Sequence, residues 1–306
     1  MIFQVMNQTL SLDKLLIGDN PFNGVDHLSQ ARTRINFGEL SVGTISRIIQ
    51  IALESGASGI SFSTGPKMYD VLSTLKSNGY DGDFGIYPVL PDVNSSVKIV
   101  SEKGMIGLLR DTFGKMDIGT RARSLVSGSM SVLTLDPIRM MKTFVNAQIS
   151  SYADAAPNRA QLKSIFLHEI VTDLMVSLGM TDLLKNYVDF VADAFGVFPG
   201  FVTRNFPRFM KFISESKVDA KNIAILTPFN KAGFQMNPSR EECERALSQA
   251  KDSNIITMSI LASGYLKLDE AVVYLNSLEK SVSCVIGTSS EKHAKDTFSY
   301  LRSELK

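Results

Sequence analysis

Short apolar runs rich in β-branched residues recur along this chain, each followed by a polar turn and an amphipathic stretch. A strand covered on both faces reads as continuous apolar sequence, while the helix that crosses back over it keeps one wet side. This alternation is the signature of parallel strands with helical crossovers. Eight runs fit: Leu15–Gly18, Gly59–Ser63, Phe84–Val89, Ser164–His168, Gly200–Thr203, Ile223–Thr227, Ile255–Ser259 and Ser283–Gly287. Between them, Val42–Ser55 puts Ile45, Ile48, Ile49 and Ala52 on one helical face and is stopped by Gly56. Further helices are expected near Tyr69–Ser77, at 97–110, from Pro137 to Tyr152 with proline in the first turn, at Asp269–Leu278 and from Glu291 to Leu305. Another opens at Ser239, with Glu242 at capping-box spacing.

Eight strands with helical connections predict an α/β fold, a (β/α)₈ TIM barrel; an open doubly wound sheet is the alternative. Such barrels use about 250 residues or more, so the 306 residues form one barrel domain over 1–306. Segment 111–135, between strands three and four, is rich in Gly, Ser and Arg with weak periodicity. It carries too many Val, Leu and Met for a disordered tether and reads as an insertion in the barrel.

Charge narrows the function classes. The 32 basic and 31 acidic side chains are interspersed, which excludes the basic stripe of a nucleic-acid binder. Cys243 and Cys284 have no neighbour at metal or redox spacing and read as reduced structural thiols. The start, Met1-Ile2-Phe3-Gln4-Val5-Met6, lacks the features of a signal peptide, and no apolar run approaches the ~18 residues of a membrane span. A cytoplasmic protein with neither a nucleic-acid nor a membrane partner is expected; the oligomeric state is not readable.

In a TIM barrel the carboxyl ends of the strands carry the working site. Read there, the chain offers Asp19, Asn20, Asn23 and His27 after strand one, and Ser63, Thr64, Lys67 and Tyr69 after strand two. Tyr87 and Asp92 follow strand three, His168 and Glu169 strand four, and Thr203, Arg204 and Asn205 strand five. Asn230 and Lys231 follow strand six, Ser259, Ser263 and Gly264 strand seven, and Gly287, Thr288, Ser289 and Ser290 strand eight. Charged groups abutting apolar strands need partners to offset desolvation, which singles out Asp19, His168, Glu169 and Arg204. The turn Gly287–Ser290 opens a helix, where free N–H groups and the macrodipole favour an anion, and a phosphate-bearing small molecule is the expected ligand. Helix capping by Ser289 or Ser290 is the plainer reading of the same residues. A metal site from His27, His168, Asp19 and Glu169 has no short ligand spacing behind it, so none is expected. Lys231 is a Schiff-base candidate only if desolvated, and a solvated loop lysine otherwise.

Taken in order, these segments resemble the aldo-keto reductase superfamily. Leu16-Ile17-Gly18 through Phe22-Asn23-Gly24 is similar to the family's opening strand and loop, and Gly59-Ile60-Ser61-Phe62-Ser63-Thr64 with Tyr69 to its strand-two motif. Phe166-Leu167-His168 resembles its Leu-x-x-His, and Phe201-Val202-Thr203-Arg204-Asn205-Phe206 its Gly-Val-Ser-Asn-Phe. Ser259–Leu266 resembles its Pro-Leu-Ala-x-Gly-x-Leu loop, and Val285–Ser290 with Glu291–Ala294 its phosphate-binding end. The resemblance covers most of the chain outside about 105–160. It implies carbonyl reduction with NADP(H), Tyr69 at the proton donor and His168 at the tetrad histidine. It also implies Asn205 at the nicotinamide amide, and Ser263, Gly264 and Gly287–Ser290 around the cofactor. The tetrad is incomplete: its aspartate position falls on Ser63 or Thr64, and Leu90-Pro91 stands where its lysine would be.

Three readings stay open. One is a reductase-like oxidoreductase for a small carbonyl or alcohol, with Tyr69 or His168 as acid and Glu169 or Asp19 assisting. Another is a cofactor-free lyase, aldolase or isomerase of a phosphorylated molecule, using Asp19, Glu169, Arg204 and Lys231. The third is a non-catalytic barrel that binds a nucleotide or metabolite. Asn20, Arg204, Asn230 and Lys231 are the expected substrate contacts.

Overall fold

A strand with no wet face must be covered on both sides, and a run of eight of them meets that demand by curling until the first pairs with the last. The structure, a computed structural model, describes residues 11–23, 40–91, 136–280 and 282–305. The expected helix at 97–110, the segment 111–135, and the candidates His27 and Asp92 lie outside these residues.

In chain order the strands are β1 (Leu15–Gly18), β2 (Gly59–Ser63), β3 (Phe84–Leu90), β4 (Ala160–Leu162), β5 (Ser164–Leu167), β6 (Phe198–Val202), β7 (Ala224–Pro228), β8 (Asn254–Met258) and β9 (Ser283–Gly287). The helices are α1 (Val42–Ser55), α2 (Pro66–Ser77), α3 (Pro137–Ala155), α4 (Glu169–Ser177), α5 (Thr181–Phe195), α6 (Phe206–Glu215), α7 (Arg240–Gln249), α8 (Leu268–Ser277) and α9 (Glu291–Glu304). Pairing is parallel throughout and runs β1, β2, β3, β5, β6, β7, β8, β9 and back to β1. The ring is closed, so the chain is a (β/α)₈ barrel and the open sheet is excluded.

β4 stands outside the ring. It pairs with the start of β3 through Phe84↔Ala160 and Ile86↔Leu162, whereas β5 pairs with the end of β3 through Val89↔Phe166 and Leu90↔Leu167. The register slips by one residue between the two pairings. Lys163 lies between the two, as in a β-bulge; the predicted fourth strand, Ser164–His168, corresponds to β5, and β4 is an additional strand ahead of it.

Local chemistry accounts for the helix ends. Ser41 accepts the Thr44 N–H at 3.1 Å at the start of α1, and Gly56, at φ 128°, ends it. Ser239 caps α7 by accepting the Glu242 N–H at 3.2 Å, as its spacing predicts. Between strands and helices lies the larger apolar layer, to which Ile45, Ile48, Ile49 and Ala52 contribute as expected. Inside the ring sits a second core that includes Leu16, Tyr87, Phe166, Phe198, Val202 and Leu226. Large rings there need vacant neighbours: a Cβ on Gly200 would stand 2.6 Å from the Phe166 ring, and one on Gly85 2.8 Å from that of Tyr87.

Tyr87 corrects an expectation. It points not to the mouth but to the amino-terminal end, where its hydroxyl donates to Asp13 Oδ2 and accepts the Asp13 N–H, both at 2.7 Å. Strand alternation separates inward from outward side chains, and says nothing of whether an inward one tilts up or down the axis. The fully buried ring closes the floor of the barrel. Burial pushes the Asp13 carboxyl above its usual range, with the Tyr87 hydrogen bond and the Lys163 charge pulling it back. Burial, and then the Asp13 charge, raise the Tyr87 hydroxyl well above its ordinary value.

Candidate functional site

The parallel register brings Asp19, Ser63, His168, Thr203, Asn230, Ser259 and Thr288 to one rim, each just past its strand. His168 stands two residues beyond the inward-facing Phe166. Its Nδ1 accepts the Ile170 N–H at 3.2 Å and so caps α4. An accepting Nδ1 assigns the neutral ring's proton to Nε2. Asp19, 6% exposed, accepts the Ser63 N–H at 2.9 Å, which ties the β1 and β2 ends together. Its carbonyl accepts the Phe22 N–H, folding Asn20–Asn23 into a 3₁₀ turn with Asn20 exposed.

Tyr69 lies in the first turn of α2, 39% exposed, with its ring edge-on to Tyr152 at 6.3 Å between centroids. Tyr152 is anchored to the loop after β2: its hydroxyl donates to the Gly65 carbonyl at 2.8 Å and accepts the Gly65 N–H at 2.5 Å. Thr64 is buried and turned to β3, donating through Oγ1 to the Val89 carbonyl at 3.4 Å.

Arg204 and Glu169 meet across the ends of β5 and β6. Nε donates to Glu169 Oε2 at 2.7 Å and Nη2 lies 2.6 Å from Oε1, a two-pronged contact. Arg159 and Asp83 make the same fork at 2.8 and 2.6 Å, but with side chains 57% and 59% exposed. Such a solvated pair contributes about 0–1 kcal/mol. The Arg204–Glu169 side chains are 33% and 21% exposed, so water screens them less. Beneath the pair, the fully buried Thr203 donates to Asp173 Oδ1 at 2.8 Å and accepts the Asn205 N–H at 3.1 Å. Burial raises the Asp173 carboxyl; the Thr203 hydrogen bond opposes this and the Glu169 charge adds to it. Asn205 caps α6, its Oδ1 accepting the Arg208 N–H at 3.2 Å.

After β7 the predicted pair divides. Asn230 is buried and commits its amide to the Phe234 backbone, donating to O and accepting from N at 2.8 Å each. Lys231 is on the surface, 3.7 Å from Glu270 with more than half of its side chain exposed, which is not the desolvated amine that Schiff-base chemistry needs. Ala262, Ser263 and Gly264 follow β8 at φ 46°, 60° and 85°. Ser259, at φ 56°, donates through Oγ to Oε1 of Gln235, at φ 61°, over 3.2 Å. Non-glycine residues in the left-handed region cost about 1–3 kcal/mol each and persist where their surroundings over-determine them. Sequence reasoning missed Gln235 and Asp173: neither sits at a strand end, and a positive φ on glutamine leaves no mark in the sequence.

The last unit keeps its predicted shape. Gly287 is exposed, and a Cβ on it would stand 2.5 Å from Pro21 in the loop after β1. Thr288 is 6% exposed, with its Oγ1 buried and without a hydrogen-bond partner among the described residues. Ser290 caps α9 by accepting the His293 N–H at 3.2 Å. Among the described residues no group of three or more His, Cys, Asp or Glu side chains gathers to hold a metal, and no helix is long and apolar enough to cross a membrane.

No protein-family model matches this chain, and no curated protein matches its sequence. Solved structures do match. A protein from Pseudomonas aeruginosa, provisionally named an aldo-keto reductase, superposes with a TM-score of 0.60 at 11% identity, over 98% of this chain and 93% of its own. A provisionally named 2,5-diketo-D-gluconic acid reductase B gives 0.54 at 12% identity, over 96% and 83%. The chain shares its barrel fold with these proteins. At such identity the likeness is one of fold, and function has to be argued from the site. Ser63 and Thr64 at the end of β2 and Leu90-Pro91 at the end of β3 place no charged side chain there.

Proposed function

We propose that the chain is an oxidoreductase that binds NADP(H) by its phosphate-bearing part and interconverts a small carbonyl compound and its alcohol. The observation that carries this reading is the Thr288 Oγ1, buried and without a partner among the described residues, two residues ahead of the N-cap of a 14-residue helix. A buried hydroxyl left unpaired costs about 1–3 kcal/mol, so a ligand oxygen that accepts from it recovers that loss. Beside it Gly287 is open, and Ser289 and the first N–H groups of α9 supply further donors where the dipole favours negative charge. These residues fit a phosphate. When bound, the nicotinamide supplies a hydride to the carbonyl carbon.

The chain's own part is to hold the carbonyl oxygen. His168 is the donor we favour: Nδ1 is occupied by the Ile170 N–H, which leaves Nε2–H as the donating nitrogen. As charge develops on the oxygen, a hydrogen bond from Nε2–H stabilises it. Tyr69 is the second candidate, packed on Tyr152. Lys231, solvated and paired with Glu270, lends no support to a Schiff-base lyase.

Thermal unfolding with added NADPH tests the reading. At 100 times its dissociation constant the cofactor should stabilise the protein by about 2.7 kcal/mol, and Thr288→Val should weaken that effect. His168→Asn keeps a side-chain oxygen to cap α4 while displacing the donor. It should lower kcat by ~10²- to 10⁴-fold with NADPH affinity retained. No stabilisation at millimolar NADPH would end this reading.

A further inference from the structure

We infer that the rim between β5 and β8 is a carboxylate-recognition site, built on Arg204 and Gln235, that selects substrates bearing an anionic group. The inference rests on the oxidoreductase reading and names the substrate class of the same site.

Arg204 offers five N–H donors in a rigid fork. Glu169 takes the side edge, through Nε at 2.7 Å and Nη2 at 2.6 Å. Among the described residues nothing hydrogen-bonds Nη1, so the end-on edge, one N–H of Nη1 and the second of Nη2, stays open. Guanidinium binds two carboxylates in this way, one on each edge, and here the first belongs to the protein and fixes the plane for the second. Glu169 is thus a positioning residue.

The neighbouring loop is lashed to this arginine: the Arg204 carbonyl accepts the Asn237 N–H at 3.0 Å. Two residues earlier Gln235 sits in the left-handed region, its Oε1 engaged by Ser259 Oγ at 3.2 Å. With the oxygen occupied, the amide's Nε2 keeps two donors and no partner among the described residues. Four successive rim loops are therefore stitched together by Glu169–Arg204, Arg204–Asn237 and Gln235–Ser259, and the donors left over belong to a guanidinium and an amide. Neither leftover group is an acceptor, so the ligand face of this arc calls for oxygens that accept. The fork geometry favours a planar carboxylate over a neutral carbonyl.

Calorimetric titration of the full chain with succinate, inorganic phosphate and butanol, without cofactor, tests the site separately from the chemistry. Succinate should bind best. Arg204→Met should weaken it by ~10- to 100-fold and Arg204→Lys by less. Gln235→Glu, which replaces the amide donors by a negative charge at a partly exposed position, should weaken it too. That variant keeps the test informative if Arg204→Met fails to fold, as judged by circular dichroism. In NADPH-dependent reduction, the preference for 4-oxobutanoate over butanal should fall by the same factor in both variants. Equal binding of all three probes, a preference for phosphate, or succinate binding unchanged in the variants overturns the inference, even if butanal is reduced and the oxidoreductase reading survives. Arg204-dependent succinate binding without any response to NADPH leaves the anion site standing and sinks the reading beneath it.

Discussion

Asp13, half-buried at the floor of the barrel, meets Tyr87 twice, once through its carboxylate and once through its backbone N–H, and its charge makes stability answer to pH. Burial is the largest influence on the Asp13 carboxyl and raises it, so the folded state keeps this proton at pH values where the unfolded chain has released it. The unfolded state then binds fewer protons, and the Asp13 contribution to stability falls as pH rises from about 4 through the raised value. Asp13→Asn can still accept the Tyr87 hydroxyl and does not titrate. Its urea midpoint relative to wild type should therefore improve between pH 3.5 and pH 7; a shift in the opposite direction would show that pairing with Tyr87 and Lys163 outweighs desolvation. Asp13 and Tyr87 also mark a limit of reading sites from sequence. Of the residues expected at the rim, Asp19, His168, Glu169, Arg204 and Thr288 are there, because a strand's end is legible as the point where apolar sequence stops. What each side chain does on arrival was not legible. Asn230 pins its own loop, Asn205 caps a helix, and Lys231 faces water, since all three outcomes begin from the same polar letter in the same place.

The strands interlock by pairing large rings with absent side chains, which makes small changes costly. Gly200 on β6 has the Phe166 ring and Ser164 Oγ of β5 at 2.6 and 2.7 Å from where a Cβ would stand. Gly200→Ala should cost about 1–3 kcal/mol by overpacking. Phe166→Leu added to it should recover part of that loss, giving a coupling energy measurable in a double-mutant cycle. Additive losses would mean that the two strands relax apart independently. Strand ends were legible to within a few residues, since β-branched runs bounded by turn residues admit few alternatives. The two helices α4 and α5 between β5 and β6 were not individually called. The strand β4 outside the ring was invisible, because Ala160-Gln161-Leu162 is too short and too mixed to stand out as an apolar run.

Cysteine chemistry reports on the molecule as a whole. Cys243 on α7 and Cys284 on β9 are 1% and 0% exposed, and burial pushes each thiol up to about 12. The reactive thiolate is therefore scarce as well as shielded. A disulfide reagent at pH 8 should modify neither in the folded protein and both in urea, at rates that coincide if a helix of the outer layer and a strand of the ring open together. Rapid loss of one thiol under native conditions would reveal a layer that opens alone. The Tyr87 plug has a consequence for traffic. With its lower end filled by an aromatic ring above a half-buried carboxyl, the ring of strands is a packed plug rather than a conduit. A ligand of the rim therefore approaches and departs on one side only, by way of Arg204 and Gly287.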